Sequence, residues 1–298
     1  MADTCPTQRF EKILLSTDGS EFSEGAVREA IRLAKKCSGR LSALSVVETN
    51  PEIATLAPQV IEKAGKAARE HLAAVQKSAK SESVECDCIV REGEEPYRSV
   101  CDEAAKSKCS MIVMGRRGRT GLKKLMMGSV TARVIGHSPC SVLVVPRAAR
   151  PEYKNIVVAT DGSRFSQAAA AEAVEVAKRY GSALTAVSVV PAEFLTPTDI
   201  ELTMNQQELI AQQQMQVAEK NAKAVKDLAQ QAGVSVRAFV LTGRPSDAII
   251  QTAQEQKADL IVLGSHGRTG VERLLMGSVA ERVIVLSTCA VLVVKTGA

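Results

Sequence analysis

The chain has 298 residues, a length that favours two domains because one domain commonly holds about 100–200 residues. Hydrophobic residues make up 45% and charged residues 24%, which are globular values that argue against disorder and fibrous repeats. A net charge of +5, no Trp and only eight Tyr and Phe together give no reason to expect a nucleic-acid partner. No apolar run reaches the roughly 18 residues that cross a bilayer. No secretory segment is apparent, so we expect a cytoplasmic protein without a membrane partner.

The first half alternates between strand and helix patterns. A buried strand over 13–17 leads into the turn Asp18-Gly19-Ser20, where Ser20 is a candidate N-cap of a helix that Gly39 ends. The later predicted elements are strand 41–47, helix 58–80, strand 84–90, helix 96–108, strand 111–114, helix 128–137 and strand 141–145. Strict alternation of this kind implies a parallel, doubly wound sheet with helices on both faces.

The chain contains an internal repeat that divides it into two similar halves. Residues 12–47 recur as 155–190, and residues 115–145 recur as 264–294 with 19 of 31 positions identical. The copies meet at a basic, proline-bracketed linker over 146–152, and the second copy has a longer Gln-rich helix over about 200–231. We therefore predict an α/β fold class with two tandem Rossmann-like domains, residues 1–148 and 149–298. Each would be a five-stranded parallel sheet, with the order 3-2-1-4-5 as a working assumption.

Eight cysteines raise the question of metals and disulfides. None forms a Cys-x-x-Cys pair, and His71, His137 and His266 are not spaced to complete a zinc site. In the strand-like segment Cys86-x-Cys88 both side chains would point to one face. We predict no metal site and reduced, mostly buried thiols at Cys5, Cys37, Cys86, Cys88, Cys101, Cys109, Cys140 and Cys289.

Glycines cluster after the fourth strand of each half rather than after the first. The dinucleotide fingerprint Gly-x-Gly-x-x-Gly belongs after the first strand, where the chain instead reads TDGSEFS and TDGSRFS, and a P-loop is absent. Each fourth strand is followed by Gly-x2-Gly-x9-Gly-Ser, at Gly115, Gly118 and Gly128-Ser129 and again at Gly264, Gly267 and Gly277-Ser278.

This location has a physical meaning in a doubly wound sheet, because ligands bind where the helices after two neighbouring strands diverge to opposite faces. Gly115 and Gly118 would let main-chain N–H groups approach an anion, and the helix start at Gly128-Ser129 would offer amides and a hydroxyl to a phosphate. Asp18 suits ribose hydroxyls or a magnesium ion carried by phosphates. Charge-assisted contacts would come from Arg116, Arg117 and Arg119. Together these features indicate a mononucleotide with a polyphosphate tail.

Each feature also has a plainer interpretation. Glycines after a strand are more often turn formers, and serines at helix starts are usually caps. On this interpretation Asp18 and Asp161 stabilise their turns, and a solvated face is formed by Arg116, Arg117, Lys123 and Lys124. The recurrence of the whole set at both fourth strands strengthens the nucleotide interpretation only moderately, because a recent duplication also produces it.

The Asp-Gly-Ser turn together with the Gly-x2-Gly-x9-Gly-Ser element closely resembles the universal stress protein family, twice and over nearly the whole chain. The glycine element is similar to that of the family's ATP-binding branch, so the resemblance implies ATP with Mg²⁺ at the switch point between strands 1 and 4 of each half. It implies that the Thr-Asp pair lies near ribose and base, that a valine contacts adenine, and that the glycine element surrounds the phosphates. In the first half these residues are Thr17, Asp18, Val46, Met114, Gly115, Arg117, Gly118, Gly128, Ser129 and Val130. In the second half they are Thr160, Asp161, Val189, Leu263, Gly264, His266, Gly267, Gly277, Ser278 and Val279.

The second half departs from the first at two cations. Ser265 and His266 stand where the first half has Arg116 and Arg117, although Arg268 and Arg273 are retained. We predict weaker or more pH-sensitive triphosphate binding in the second half, since histidine is charged only over part of the pH range.

The resemblance implies a regulatory stress-response protein that binds adenine nucleotide and is not an enzyme beyond weak ATP hydrolysis or autophosphorylation. The alternative is an ATP-consuming enzyme of related fold, such as an adenylating synthetase, but neither STDGSEFS nor ATDGSRFS supplies that class's S-G-G-x-D-S loop. No pair of a histidine with a carboxylate or serine recurs as a general base. A flavin-bearing electron carrier is a third interpretation. The resemblance also suggests that the last strands, 141–145 and 290–294, meet in a pseudo-dimer of the two halves and that two chains associate further.

Overall fold

The computed structural model of the chain describes residues 11–118, 126–192, 204–268 and 276–296. The chain folds into two compact units, the first ending at Arg150 and the second running from Pro151 to Thr296. Both units have the same α/β architecture, which confirms the predicted fold class. Within the described ranges, no helix combines the length and the apolar character that crossing a bilayer requires.

The first unit is a parallel sheet covered by helices. Its strands are β1 (Lys12–Ser16), β2 (Arg40–Glu48), β3 (Cys86–Gly93), β4 (Met111–Gly115) and β5 (Ser141–Val145). Its helices are α1 (Glu24–Cys37), α2 (Pro51–Leu56), α3 (Pro58–Ser81), α4 (Pro96–Ser107) and α5 (Ser129–His137). The strands pair in the order β3-β2-β1-β4-β5, as predicted. The central strands are apolar runs because both faces are covered, and Leu14 and Ile112 are fully buried.

The second unit repeats this plan. Its strands are β6 (Asn155–Ala159), β7 (Ala183–Val190), β8 (Val236–Thr242), β9 (Leu260–Gly264) and β10 (Ala290–Val294). Its helices are α6 (Arg164–Tyr180), α7 (Met204–Gln231), α8 (Pro245–Glu255) and α9 (Ser278–Leu286). The strands pair in the order β8-β7-β6-β9-β10, which is again 3-2-1-4-5. The predicted Gln-rich helix is α7, and the start expected near residue 200 lies outside the described residues.

The strand order opens a crevice at the carboxyl ends of β1 and β4. Helix α1 packs on β1 and β4 and contacts α3, whereas α5 packs beside α4. The chain therefore leaves β1 toward one face of the sheet and leaves β4 toward the other. The second unit has the same arrangement, with α6 after β6 and α8 beside α9. These divergent exits make the end of the central strand pair the place where a doubly wound sheet accepts a ligand.

Helix ends and one short helix differ from the prediction. Ser20 precedes a single 3-10 turn, Glu21–Ser23, and its hydroxyl donates to Asp18 Oδ1 (2.7 Å) rather than capping a helix. At the other end of α1, Ser38 rather than Gly39 has the left-handed conformation (φ 47°). Helix α2 was not predicted, because its six residues are too few to reveal a helical period.

The predicted linker over 146–152 begins as a segment docked on the first unit. Arg28 of α1 donates to the main-chain oxygen of Arg147 (2.6 Å). Arg147 in turn forms ion pairs with Glu21 and Glu24, the latter at 3.1 Å. These contacts hold the chain beyond β5 against α1, and Ala149 is only 8% exposed.

Candidate functional site

The turn after the first strand of each unit is fixed by buried hydroxyl groups. Thr17 Oγ1 donates to Ser23 Oγ (3.0 Å), and Ser23 donates to the main-chain oxygen of Ser20 (2.8 Å). In the second unit the hydroxyls of Thr160 and Ser166 lie 3.3 Å apart. These contacts join the end of the strand to the next helix, so they fix the direction in which the following aspartate leaves the sheet.

The aspartate carboxylates organise the main chain around the crevice. Asp18 Oδ1 accepts from the N–H of Ser20 at 3.0 Å. Asp161 Oδ1 accepts from the N–H of Ser163 (3.0 Å), and its Oδ2 accepts from the N–H of Arg268 (2.8 Å). Asp161 therefore connects the turn after β6 to the glycine loop after β9, two segments that are more than 100 residues apart in the chain.

The hydrogen bonds to Asp161 predict an acid-dependent contribution to stability. Partial burial raises the pKa of Asp161, but hydrogen bonds from Ser163, Ser166 and the N–H of Arg268 outweigh it and lower the pKa. Such a group stabilises the fold above its unfolded pKa of about 3.9, and the contribution is lost as the pH falls through the folded-state pKa. We expect Asp161→Asn to cost about 1–2 kcal/mol at neutral pH and progressively less as the pH falls through the folded-state pKa of Asp161, as measured by urea unfolding at a series of acidic pH values. A deficit that is independent of pH would contradict this account.

The second glycine of each loop leaves room for the aspartate. A Cβ at Gly118 would lie 2.8 Å from Asp18 Oδ2, and a Cβ at Gly267 would lie 2.9 Å from Asp161 Oδ2. Both distances are shorter than real Cβ contacts, so any side chain here would displace the carboxylate. Glycine at this position therefore allows the carboxylate to reach the loop.

The first glycine of each loop allows two main-chain segments to pack closely. A Cβ at Gly115 would lie 2.8 Å from the carbonyl oxygen of Phe22, and a Cβ at Gly264 would lie 2.7 Å from the carbonyl carbon of Phe165. From the sequence alone, these glycines are expected to let main-chain N–H groups approach an anion. The structure adds a packing reason, because the end of each fourth strand abuts the start of the helix region that follows the first strand.

Helices α5 and α9 begin at the mouth of the crevice. The N–H of Gly128 donates to the oxygen of Arg116 (3.0 Å), and the N–H of Gly277 donates to the oxygen of Ser265 (2.9 Å). These bonds close each loop onto its own strand end. The N–H groups that a helix start directs outward are therefore those of the next residues, beginning at Ser129 and Ser278, which have no acceptor within the helix.

Two arginines follow β4 in the first unit. Arg116 is half-buried, and its burial together with the charge of neighbouring Arg117 lowers the pKa of the Arg116 guanidinium. Arg117 donates through Nε to the main-chain oxygen of Met126 (3.1 Å), which brings the two ends of the glycine loop together. Two further cations of the sequence motif, Arg119 and Arg273, lie outside the described residues.

The second unit replaces this cationic pair with a buried serine and a histidine. Ser265 is 1% exposed, and its Oγ lies 3.1 Å from Nδ1 of His266. The imidazole also packs on the Phe165 ring, with 5.2 Å between centroids. Arg268 donates through Nε to the main-chain oxygen of Asp161 (2.6 Å), so its guanidinium is engaged with the turn.

All ten residues named in the second half line a single cavity of about 170 Å³. They reach it from the turn after β6, from β7, from the end of β9 with its loop and from the start of α9, four segments that the fold brings to one edge of the sheet. Its remaining lining was not named from the sequence and is mostly apolar, consisting of Ala159, Ser166, Val187, Pro245, Ile249 and Ala280.

The ten residues named in the first half lie at the matching edge of their own sheet. Thr17 donates its N–H to the carbonyl of Leu44 (3.0 Å), two residues before half-buried Val46 on β2. Met114 is 4% exposed near the end of β4. The rest belong to the turn, glycine loop and helix start described above, namely Asp18, Gly115, Arg117, Gly118, Gly128, Ser129 and Val130.

The long helix of each unit makes a contact that was not predicted from the sequence. His71 of α3 places Nε2 at 2.9 Å from Thr17 Oγ1. In the second unit Asn221 of α7 occupies the corresponding place, with its Oδ1 against Gly162. Both lie more than 50 residues from the turns they contact, and no local pattern in the sequence identifies such a pair.

The model of the universal stress protein family matches residues 9–146 and again residues 152–295. The chain belongs to the universal stress protein family. Its two units are thus universal stress protein domains in tandem.

Several known universal stress proteins are similar to this chain. One from Methanocaldococcus jannaschii is 41% identical over 143 residues, which cover 48% of this chain and 82% of the relative. One from Mycobacterium bovis is 29% identical over an alignment of 322 positions, which covers 95% of this chain and 94% of the relative. The crystal structure of a universal stress protein from Archaeoglobus fulgidus has a TM-score of 0.74 at 23% identity and covers 96% of each chain, a likeness that shows the shared fold.

Proposed function

We propose that this universal stress protein binds ATP in each half and acts as a nucleotide-responsive regulatory protein in the stress response. The observation that carries the proposal is the convergence of ten residues, all named from the sequence, on one cavity of the second unit. That cavity combines apolar walls with the main-chain donors of a helix start. An adenine ring and a phosphate chain need these two kinds of surface.

The apolar end of the cavity suits the adenine and ribose. Val187, Val189, Pro245 and Ile249 supply a wall without charge. Asp161 and Thr160 stand between this wall and the glycine loop, where ribose hydroxyls would find acceptors. The main-chain groups near Val189 would form hydrogen bonds with the edge of the adenine ring.

The opposite end suits the phosphates. In the first unit, burial together with the neighbouring charge of Arg117 lowers the pKa of Arg116, and a bound anion would stabilise the charged guanidinium. In the second unit, Nδ2 of Asn221 is buried and has no hydrogen-bond partner among the described residues, and it lies in an adjoining pocket that Asp161 and Gly267 also line. A buried amide donor in that state is costly, and a phosphate oxygen or an ordered water would satisfy it.

The site does not supply a preformed magnesium centre. Both oxygens of Asp161 already accept main-chain N–H groups. The described residues also contain no group of three or more His, Cys, Asp or Glu arranged to hold a metal. We therefore expect Mg²⁺ to arrive coordinated by the ATP phosphates, with the loop amides contacting the remaining phosphate oxygens.

The hydroxyl network supports binding over turnover. The Thr17 hydroxyl is engaged with Ser23 Oγ (3.0 Å) and lies 2.9 Å from Nε2 of His71. The histidine is not repeated in the second unit, where Asn221 of α7 occupies the corresponding place. An ATP-consuming enzyme with an active site in each half would need its general base in both.

Titration calorimetry of the full chain with MgATP tests the proposal. We expect saturable binding of two nucleotides per chain and recovery of intact ATP by chromatography after prolonged incubation. The absence of any saturable signal would overturn ATP binding. Release of ADP or pyrophosphate at about 1 s⁻¹ or faster would instead identify an ATP-consuming enzyme.

Arg117 and His266 occupy matching positions, and exchanging them predicts opposite changes in affinity. Arginine is always protonated, whereas histidine as a residue type changes charge near neutral pH. We expect His266→Arg to raise the ATP affinity of the second half about fivefold at pH 8, since a partly screened charge-assisted contact is worth about 1 kcal/mol. The matched variant Arg117→His should lower the affinity of the first half by a similar factor.

Each affinity is measured by calorimetry in chains whose other site carries an aspartate-to-alanine substitution at Asp18 or Asp161. The parent chains serve as controls for the pH profile between 6 and 8. Equal affinities of the two separately inactivated parent chains, at every pH, would contradict the predicted asymmetry.

A further inference from the structure

Two cysteine side chains meet at the edge of the first sheet that is opposite the crevice. Cys109 precedes β4 and Cys140 precedes β5, and their Sγ atoms lie 3.5 Å apart. The register of the two strands, with Met111 opposite Ser141, brings these positions to neighbouring rungs of the sheet. Among the seven described cysteines none is in a disulfide, so this pair is a dithiol.

The two thiols differ in access. Cys109 is 9% exposed, and its hydrogen bond with Cys140 together with burial raises the pKa of the Cys109 thiol. Cys140 is more exposed than Cys109 and lies just before β5 in a tight turn, in which its N–H donates to Ser138 Oγ (3.2 Å). A small oxidant therefore reaches the Cys140 sulfur first, and Cys109 lies behind it.

The second unit contains the same turn without the second thiol. The N–H of Cys289 donates to Ser287 Oγ, also at 3.2 Å, so the main-chain setting of Cys289 matches that of Cys140. Ala258 stands where the first unit has Cys109, and a cavity of about 270 Å³ adjoins Ala258 and Cys289. The duplication thus supplies a natural single-thiol control for the pair.

We propose that Cys109 and Cys140 form an oxidation site at which hydrogen peroxide converts the dithiol to an intramolecular disulfide. The Cys140 sulfur attacks one peroxide oxygen, an S–O bond forms as the O–O bond breaks, and the departing hydroxide takes the thiol proton and leaves as water. The Cys109 sulfur then attacks the sulfenic sulfur of Cys140. An S–S bond forms, the S–O bond breaks, and hydroxide leaves as a second water with the proton of Cys109.

Hydrogen peroxide is the only co-reactant that this oxidation requires. The two thiols lose two electrons and two protons in total, and the peroxide accepts them and becomes two water molecules. A dithiol reductant reverses the change. Formation of the bond requires the sulfurs to approach from 3.5 Å to the usual disulfide length of about 2.05 Å, a movement of side chains on adjacent strands.

Peptide mapping of the oxidised full chain tests the proposal. The reduced protein is treated with increasing hydrogen peroxide, alkylated and digested with trypsin without reductant. Cleavage after lysine and arginine places Cys109, Cys140, Cys101 and Cys289 on four different peptides, so each pairing has its own mass. We expect the peptide 109–116 linked to the peptide 134–147, with the loss of two alkylatable thiols per chain and recovery of both with dithiothreitol.

Matched variants separate this site from general thiol oxidation. Cys109→Ala reproduces the residue that the second unit already carries, and it should leave a sulfenic acid at Cys140 that dimedone labels. Ala258→Cys should create a second linked pair with Cys289. In the parent chain, dimedone should label Cys289 but not Cys140.

Two results would overturn the proposal. The first is the absence of the Cys109–Cys140 peptide at peroxide levels that oxidise the exposed Cys88. The second is a linkage of Cys109 to Cys101 instead. Because the pair lies at the edge opposite the crevice, either result leaves the proposed ATP binding untouched.

Discussion

Alanine at Asp161 should remove one of the two proposed ATP sites, so that nucleotide bound per chain falls from two to one. The substitution leaves the N–H groups of Ser163 and Arg268 without the acceptors that now join the turn to the glycine loop. A hydrogen bond to a charged group contributes about 1.5–3 kcal/mol, so the loss of both should weaken binding at least about tenfold. Equilibrium dialysis with labelled ATP measures the stoichiometry directly.

The repeat provides the matched variants. Asp18→Ala should remove the other site, and the double variant should bind no nucleotide. Asp247→Ala is the control, because that carboxylate lies on α8 and pairs with Arg282 (3.3 Å) instead of with the loop. Unchanged stoichiometry and affinity in Asp161→Ala would contradict the role assigned to the carboxylate.

Alanine at Gly264 should destabilise the second unit by about 2–3 kcal/mol, before any effect on ligand binding. The added Cβ would lie 2.7 Å from the carbonyl carbon of Phe165, in the first turn of α6. A flexible side chain would rotate away from such a contact, but the main chain of a packed helix has to shift. Urea unfolding should show a lower midpoint with an unchanged slope.

Gly277→Ala is the control for this prediction, because the same atom is added within the same glycine element. A Cβ at Gly277 would meet its nearest neighbour, His266 Cα, at an ordinary contact distance of 3.4 Å. Alanine at the N-cap position should cost less than about 1 kcal/mol. Equal losses in the two variants would show that close packing at Gly264 is not the reason for its glycine.

Several features of the fold were predictable because they depend on local patterns. The alternation of buried apolar runs with amphipathic segments identified every strand in the first unit. The repeat then predicted the second unit at once. The order 3-2-1-4-5 followed as an assumption from the doubly wound class and is confirmed in both sheets.

The sequence predicted which residues belong to the candidate site, but it did not predict the contacts that they make. The residues named for the second half converge on one cavity, because strand ends in a parallel sheet meet at one edge. Their individual contacts were not foreseen. Asp161 holds the N–H of Arg268, and Gly264 makes room for Phe165, although both had been assigned to the ligand. The contact of His71 with Thr17 has no signal in the sequence.

The amino-acid sequence by itself determined the duplication, the α/β class and the place of the glycine element after each fourth strand. These properties repeat along the chain or alternate with a short period, so they can be recognised without coordinates. Only the tertiary structure decided which groups touch, such as Asp161 with the loop and Cys109 with Cys140. The physical reason is that these contacts join segments distant in sequence, and their distances depend on how helices pack on the sheet.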